Sequence, residues 1–133
     1  MKPKKNDPSI IPEPTRSELE ILQVLWQHGP STVRFVNDRL NETKREVHYT
    51  STLKLMQIMV EKGLLKRNES EMKHVYSAAQ EENKTKSFLL DRFVEGMYNG
   101  SAAKLMVQLL GSSKPSKKEL EQIRELLDEL DKK

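Results

Sequence analysis

Apolar residues recur at helical spacing along the first part of the chain. Residues 15–18 read Thr-Arg-Ser-Glu, a capping box in which the hydroxyl and the carboxylate bond backbone N–H groups at a helix start. The helix that this box opens has a wide apolar face and is expected to end at Gly29. Ser31 is expected to cap a second, shorter helix that ends near Asn41. The pattern therefore predicts two helices joined by a short turn.

A third helix is predicted to end at Lys62 and Gly63, with Thr50 as its cap. One side follows the spacing of a buried stripe, and it consists of Thr52, Leu55, Met56, Met59 and Val60. The other side is expected to face solvent, and it presents Ser51, Lys54, Gln57, Ile58 and Glu61. Hydroxyl groups and a lysine on the first turn suit contacts with DNA phosphates and base edges. An ordinary solvated helix start has the same composition, so the turn alone does not decide.

Two short strands are predicted after the third helix, at residues 64–68 and 74–78, joined by a charged turn. Three helices followed by a hairpin are the arrangement of a winged helix-turn-helix domain, and we predict a mainly α fold with a small β-hairpin wing. In helix-turn-helix proteins, the recognition helix commonly lies in the major groove of DNA. Arg45 and His48 precede the third helix and are expected to contact DNA as well. A winged helix that binds protein instead of DNA is the second hypothesis.

The chain from residue 81 onward is predicted to be helical and to carry surplus apolar surface. Its last helix follows a second capping box at residues 116–119 and has apolar residues at heptad spacing. We therefore expect a helical dimerisation region whose contacts include Phe93, Met97, Leu120, Ile123, Leu127 and Leu130. The alternative is that these helices fold back on their own winged helix.

The domain boundaries expected from this pattern are a disordered arm at residues 1–14, a winged helix at 15–80 and a dimerisation region at 81–133. The arm holds four of the six prolines together with several lysines, and such a segment buries too little apolar area to order itself. It could follow the DNA backbone or have no role.

Charge and composition narrow the range of protein classes to which the chain is expected to belong. Residues 1–80 carry 13 Lys or Arg and 10 Asp or Glu, whereas residues 81–133 carry 10 of each. The excess positive charge lies in the half with the predicted reading helix, which weakly favours an anionic partner. The sequence has no cysteine, no secretory signal and no apolar run of the roughly 18 residues that a membrane helix needs. A cytoplasmic location is compatible with these features.

Catalytic and metal chemistry find little support in the sequence. The three histidines, His28, His48 and His74, fall on separate predicted elements, so we expect no metal site. Phosphate-binding glycine loops and nucleophile elbows do not occur. We expect a protein that is not an enzyme and that uses no cofactor.

At the level of motifs, the chain resembles the penicillinase-repressor family of winged-helix repressors. The resemblance rests on six segments in order, at residues 15–26, 49–59, 61–65, 74–76, 98–101 and 118–120. It implies a homodimer that represses transcription from a near-palindromic double-stranded DNA operator. The DNA contacts that it implies fall on Tyr49, Thr50, Ser51 and Lys54.

The resemblance also implies a mode of release. The best-known members are cut at an Asn-Phe bond in the dimerisation region after a membrane sensor-protease detects a β-lactam. At the comparable place this chain has Gln108 and Leu109. Cleavage here would therefore need an altered specificity.

Overall fold

The computed structural model describes residues 11–70 and 72–133. In chain order, the elements are α1 (Arg16–His28), α2 (Val33–Thr43), α3 (Tyr49–Lys62), β1 (Leu65–Asn68), β2 (Val75–Ala78), α4 (Glu82–Tyr98), α5 (Ala102–Ser113) and α6 (Lys117–Asp131). The predicted fold class is confirmed: a winged helix-turn-helix is followed by a helical C-terminal region. The chain divides into two compact units, with the division between Leu89 and Leu90, inside α4.

The wing is a two-stranded antiparallel hairpin whose second strand also pairs with the turn before α2. Leu65 is opposite Ala78, and Asn68 is opposite Val75. Ser31 forms an isolated bridge with Tyr76, since each backbone N–H donates to the other residue's carbonyl at 2.8 and 2.9 Å. The wing is thereby attached to the helix-turn-helix core next to α2.

This bridge explains why Ser31 is not the α2 cap that the sequence predicted. The Ser31 hydroxyl instead donates to the Gly29 carbonyl at 2.8 Å. Thr32 is the cap, and its hydroxyl accepts from the Phe35 N–H at 3.2 Å.

The cap predicted for α3 is also wrong. The helix begins at Tyr49, one residue before Thr50, and His48 occupies the cap position without a side-chain cap bond. The His48 carbonyl accepts from the N–H groups of Ser51 and Thr52, both at 3.1 Å. Helical hydrogen bonding therefore starts before the Thr50 hydroxyl can act as a cap.

The hydrophobic core of the first unit lies where α1, α2, α3 and the hairpin meet. Ile21 and Tyr76 are each 1% exposed, and Val36, Met56 and Met59 have no exposed surface. The stripe predicted for α3 faces this core, with Thr52, Met56 and Met59 buried and Leu55 and Val60 partly buried against it. Burial of this one stripe fixes the orientation of α3.

Packing in the first unit extends to residues that precede α1. The sequence placed residues 11–14 in a disordered arm, but Ile11 is 4% exposed and Pro14 is also buried. An isoleucine gains about 1.5–3 kcal/mol from burial, which favours packing over solvation here. Residues 1–10 of the predicted arm lie outside the described residues.

The second unit has a different character. Among the described residues, α5 and α6 contain none that is buried. Large apolar side chains are more than half exposed on α4, α5 and α6; they include Leu90, Met97, Val107, Leu126, Leu127 and Leu130. No helix in the described residues is both long and apolar enough to span a bilayer.

Candidate nucleic-acid interface

The first two turns of α3 present polar side chains to solvent. Thr50, Ser51 and Lys54 are exposed, and Tyr49 keeps 36% of its surface. Lys54 lies one turn after Thr50 and Ser51, so it shares their side of the helix. Four of the residues predicted to contact DNA therefore lie together at the N-terminal end of one helix.

Two asparagine amides on α2 hold the segment that enters α3. Asn37 on α2 is 5% exposed, and its Nδ2 donates to the Val47 carbonyl at 3.0 Å and to the Thr52 hydroxyl at 2.8 Å. One turn further, Asn41 Nδ2 donates to the same Val47 carbonyl at 3.0 Å, while its Oδ1 accepts from the Val47 N–H at 3.1 Å. Both polar groups of the Val47 backbone are thus tied to α2, which fixes where α3 begins.

A second polar contact fixes the C-terminal end of α3. Glu18 in the α1 capping box is 1% exposed, and its Oε1 accepts from the Thr15 N–H at 2.8 Å and from Lys62 Nζ at 2.7 Å. Burial of the carboxyl raises its pKa, but the bonds from Lys62 and Thr15 outweigh burial, so the pKa of Glu18 is lowered from its usual 4.5. The ionised Glu18 carboxylate therefore links α1 to α3.

His48 and Arg45, the other two predicted contacts, have different surroundings. His48 is exposed immediately before α3 and its side chain makes no cap bond. The Arg45 guanidinium is bound to α1, because its Nη2 donates to Glu20 Oε1 at 3.0 Å and to Ser17 Oγ at 3.2 Å. The structure therefore groups His48 with the start of α3 and ties Arg45 to α1.

Arg34 is a residue that the sequence interpretation missed. It is exposed on the first turn of α2, and its guanidinium carbon lies 4.3 Å from the ring centroid of Tyr49. A cation over an aromatic face is attracted by the ring quadrupole, by roughly 0.5–1 kcal/mol at an exposed site. The available signal was a basic residue in the first turn of the helix that precedes α3, but its partner Tyr49 lies 15 residues away in the sequence.

The residues predicted for dimerisation are largely exposed in the single chain. On α4, Phe93 and Met97 are 47% and 66% exposed, and on α6 Leu127 and Leu130 are 56% and 55% exposed. Leu120 and Ile123 are half-buried. Their exposure leaves an apolar surface that a partner could cover.

The residues of the predicted cleavage bond lie within a helix. Gln108 and Leu109 are exposed in the middle of α5. The Gln108 carbonyl accepts from the Ser112 hydroxyl at 2.7 Å. This peptide group is therefore held in helical geometry.

Comparison with known proteins agrees with the resemblance seen in the sequence. The profile of the penicillinase repressor family matches residues 14–129. The chain belongs to the penicillinase repressor family. A penicillinase repressor from Bacillus licheniformis is 24% identical over 119 residues, covering 90% of this chain and 92% of that protein. One from Staphylococcus aureus is 22% identical over 121 residues, covering 91% and 95% of the two chains.

Membership in the penicillinase repressor family supports transcription regulation, DNA binding and repression. The family is regulatory rather than enzymatic. Within the described residues, no group of three or more His, Asp or Glu side chains is arranged to hold a metal ion. Family membership and the exposed polar start of α3 both favour DNA as the partner of this surface.

Proposed function

We propose that the protein is a cytoplasmic, homodimeric repressor that binds a near-palindromic operator in double-stranded DNA. The observation that carries the proposal is the exposed polar start of α3, held by buried contacts in a chain of the penicillinase repressor family. The contacts that hold both ends of α3 matter because base recognition needs side chains at fixed positions relative to the groove. The alternative winged-helix function, binding to a protein, draws support from Ile58, which is 38% exposed on α3.

In this proposal, α3 enters the major groove with its N-terminal end closest to the bases. Tyr49, Thr50, Ser51 and Lys54 contact base edges and phosphates, and His48 contacts the backbone where the chain enters the helix. Arg45 reaches DNA only if its contacts with Glu20 and Ser17 loosen. We therefore assign Arg45 a smaller share of the affinity than Lys54.

The homodimer is proposed from the exposed apolar side chains of the second unit. Phe93, Met97, Leu127 and Leu130 would gain burial against a second copy of the chain. A two-fold dimer presents two copies of α3, and an operator with two-fold symmetry matches that arrangement.

The decisive experiment is a titration against duplex DNA from the region upstream of the protein's own gene. A scrambled duplex is the control, and both are titrated at two salt concentrations. We expect tight binding to the native duplex that persists at the higher salt and exceeds binding to the scrambled one. Equal, salt-sensitive binding to both duplexes would contradict sequence-specific recognition of that region. Absence of binding to any duplex would favour the protein-binding alternative.

Lys54→Ala tests the role assigned to α3. We expect weaker operator binding, and a salt slope reduced by about 0.9 for each phosphate that the lysine neutralises, thus by about 1.8 for a dimer. Arg39→Ala is the control, because Arg39 is paired with Glu42 on the same chain at 3.0 Å. If the affinity of Lys54→Ala equals that of the wild type, Lys54 is not a DNA contact.

Release of the operator by a membrane sensor-protease is the further part of the proposal. Proteases bind substrates in extended form, so cleavage between Gln108 and Leu109 requires α5 to unfold locally and to break the bond from Ser112. Mass spectrometry of the protein from cells grown with and without a β-lactam tests this step. An intact chain under both conditions would remove proteolysis at this bond from the proposal.

A further inference from the structure

An open groove of about 480 Å³ lies beside the start of α3. We call it the α2–wing groove, since it runs between the first turn of α2 and the C-terminal side of the wing turn. Its walls include Arg34 and Tyr49 on one side and Lys73 and His74 on the other, with Leu53 and Tyr76 between them. Tyr49 is therefore shared between this groove and the surface assigned to base recognition.

The charges around the α2–wing groove are unbalanced. Arg34, Lys73 and His74 line it, and the described lining residues include no aspartate or glutamate. Among the described residues, no ion pair ties up Arg34 or Lys73, whereas Arg67 on the same wing is paired with Glu69 at 2.6 Å. An anion in the groove would thus meet cationic groups from two separate elements.

The Arg34 side chain is positioned to act as a donor. Its guanidinium lies over the Tyr49 ring at 4.3 Å, which restricts a long side chain that would otherwise sample many rotamers. A guanidinium over an aromatic ring can still donate from its edges, and its fork of N–H groups matches two oxygens of a phosphate. Lys73 would add a second positive charge from the wing.

We propose that the α2–wing groove binds a DNA backbone phosphate next to the bases contacted by α3, through Arg34 and Lys73. The proposal rests on the DNA-binding function proposed above and extends it to a surface outside α3. DNA is the occupant because the groove continues the α3 surface through Tyr49, so a duplex in contact with α3 brings its backbone alongside. In this arrangement Tyr49 positions Arg34 in addition to making its own contact from α3, and Arg34 and Lys73 carry the phosphate contact in the groove.

Salt titrations of operator binding test the phosphate contact directly. Arg34→Ala and Lys73→Ala should each lower affinity at least about tenfold for native and scrambled duplexes alike, because a phosphate contact is independent of sequence. Because both cations contact the same phosphate, the variant that combines Arg34→Ala and Lys73→Ala should reduce the salt slope by about 1.8 per dimer, and Arg34→Lys should keep the slope. Arg39→Ala, on the same helix but not at the groove, should leave both quantities unchanged. Circular dichroism and thermal unfolding check that each variant folds.

Chemical replacement of single phosphates distinguishes a contact from an indirect effect. A neutral methylphosphonate at the contacted position should weaken wild-type binding and leave binding by the variant that combines Arg34→Ala and Lys73→Ala unchanged. Tyr49→Phe should retain the Arg34 contact, since the ring is enough, whereas Tyr49→Ala should lose part of the affinity that depends on Arg34.

Each failure has a separate meaning. Wild-type binding to the operator with an unaltered salt slope in the variant that combines Arg34→Ala and Lys73→Ala would overturn the groove proposal and leave the DNA-binding function intact. Failure of the wild type to bind any duplex would overturn both. A methylphosphonate scan in which no position distinguishes the wild type from the variant without both cations would also overturn the groove proposal.

Discussion

Glu18 is an acidic side chain with almost no exposed surface, because two donors bind its carboxylate from different elements. Thr15 contributes a backbone N–H at the start of α1, and Lys62 contributes a charged amine from the last turn of α3. An isolated buried carboxylate would be strongly unfavourable, but this one keeps its charge since the donors compensate for the missing hydration. The residue thus does more than cap a helix, since it joins the first helix to the proposed reading helix.

Glu18→Gln should lower the free energy of unfolding by about 1.5–3 kcal/mol near pH 7, the usual value of hydrogen bonds to a charged group. The pKa of Glu18 is lowered in the fold, so the ionised group stabilises the protein above about pH 4.5. That contribution is lost as the pH falls through the lowered pKa. Urea unfolding of both proteins at a series of pH values, from neutral pH to well below 4.5, measures the difference.

The matched control for this prediction is Glu61→Gln, an exposed carboxylate on α3. Its unfolding free energy should stay within about 0.5 kcal/mol of the wild type. A difference between wild type and Glu18→Gln that stays constant as the pH falls would contradict the assigned charge state.

The α2–α3 connection shows how far the sequence could predict the structure. Capping boxes and apolar periodicity are local signals, and they placed α1, α3 and both strands within a residue or two of their observed ends. The caps of α2 and α3 were wrong because distant partners decide them: Tyr76 pairs with Ser31, and Asn37 and Asn41 bind Val47. Arg34 was missed for the same reason, since its contact with Tyr49 crosses between two helices.

Asparagine is a poor residue for a helix interior, yet α2 has two of them one turn apart. Their amide groups replace water around the Val47 backbone and join α2 to α3 through Thr52. We infer that these two asparagines lower the helix propensity of α2 but fix the position at which α3 begins. Both asparagines can be read from the sequence, but only the structure shows that they bind the Val47 backbone.

Asn37→Leu should therefore lower the free energy of unfolding by about 1–3 kcal/mol, because the buried Thr52 hydroxyl is left without its partner. Operator binding should weaken more for the native duplex than for a scrambled one. A displaced α3 loses its contacts with base edges, which give specificity, while phosphate contacts that do not depend on sequence remain. Urea unfolding and parallel DNA titrations measure the two effects. Asp38→Ala, exposed on the same helix, is the control and should change neither. Equal weakening on both duplexes would mean that the asparagine amides support stability alone.

The two units of the chain differ in how far they bury their apolar residues. The first has a core around Met56, Met59 and Tyr76 that a single chain completes. In the second, large leucine and methionine side chains remain exposed along α4, α5 and α6. Exposed apolar surface of this kind is typical of a surface that contacts a partner. Heptad spacing predicted Leu127 and Leu130 among the apolar contacts of α6, but the sequence could not distinguish contact with a second chain from contact within one.

Replacement of Ile123 and Leu127 by glutamate tests the proposed dimer. Two charges on the apolar side of α6 would have to be buried against a partner, at a cost of several kcal/mol, so the variant should be monomeric. Sedimentation should give the 15.4 kDa mass of one chain for the variant and twice that mass for the wild type. Gln122→Glu, which adds one charge away from this side, is the control and should remain dimeric.

The same variant connects assembly to DNA binding. A monomer engages one half-site without the effective concentration that the second copy of α3 provides, so its operator affinity should fall by about 10²–10⁴-fold. Its winged helix should stay folded, because the core of the first unit lies within residues 11–89. Retained binding to a single half-site duplex, together with weak binding to the full operator, would show that dimerisation and not folding is affected. Sedimentation at the dimer mass would instead place the contact between chains elsewhere than Ile123 and Leu127.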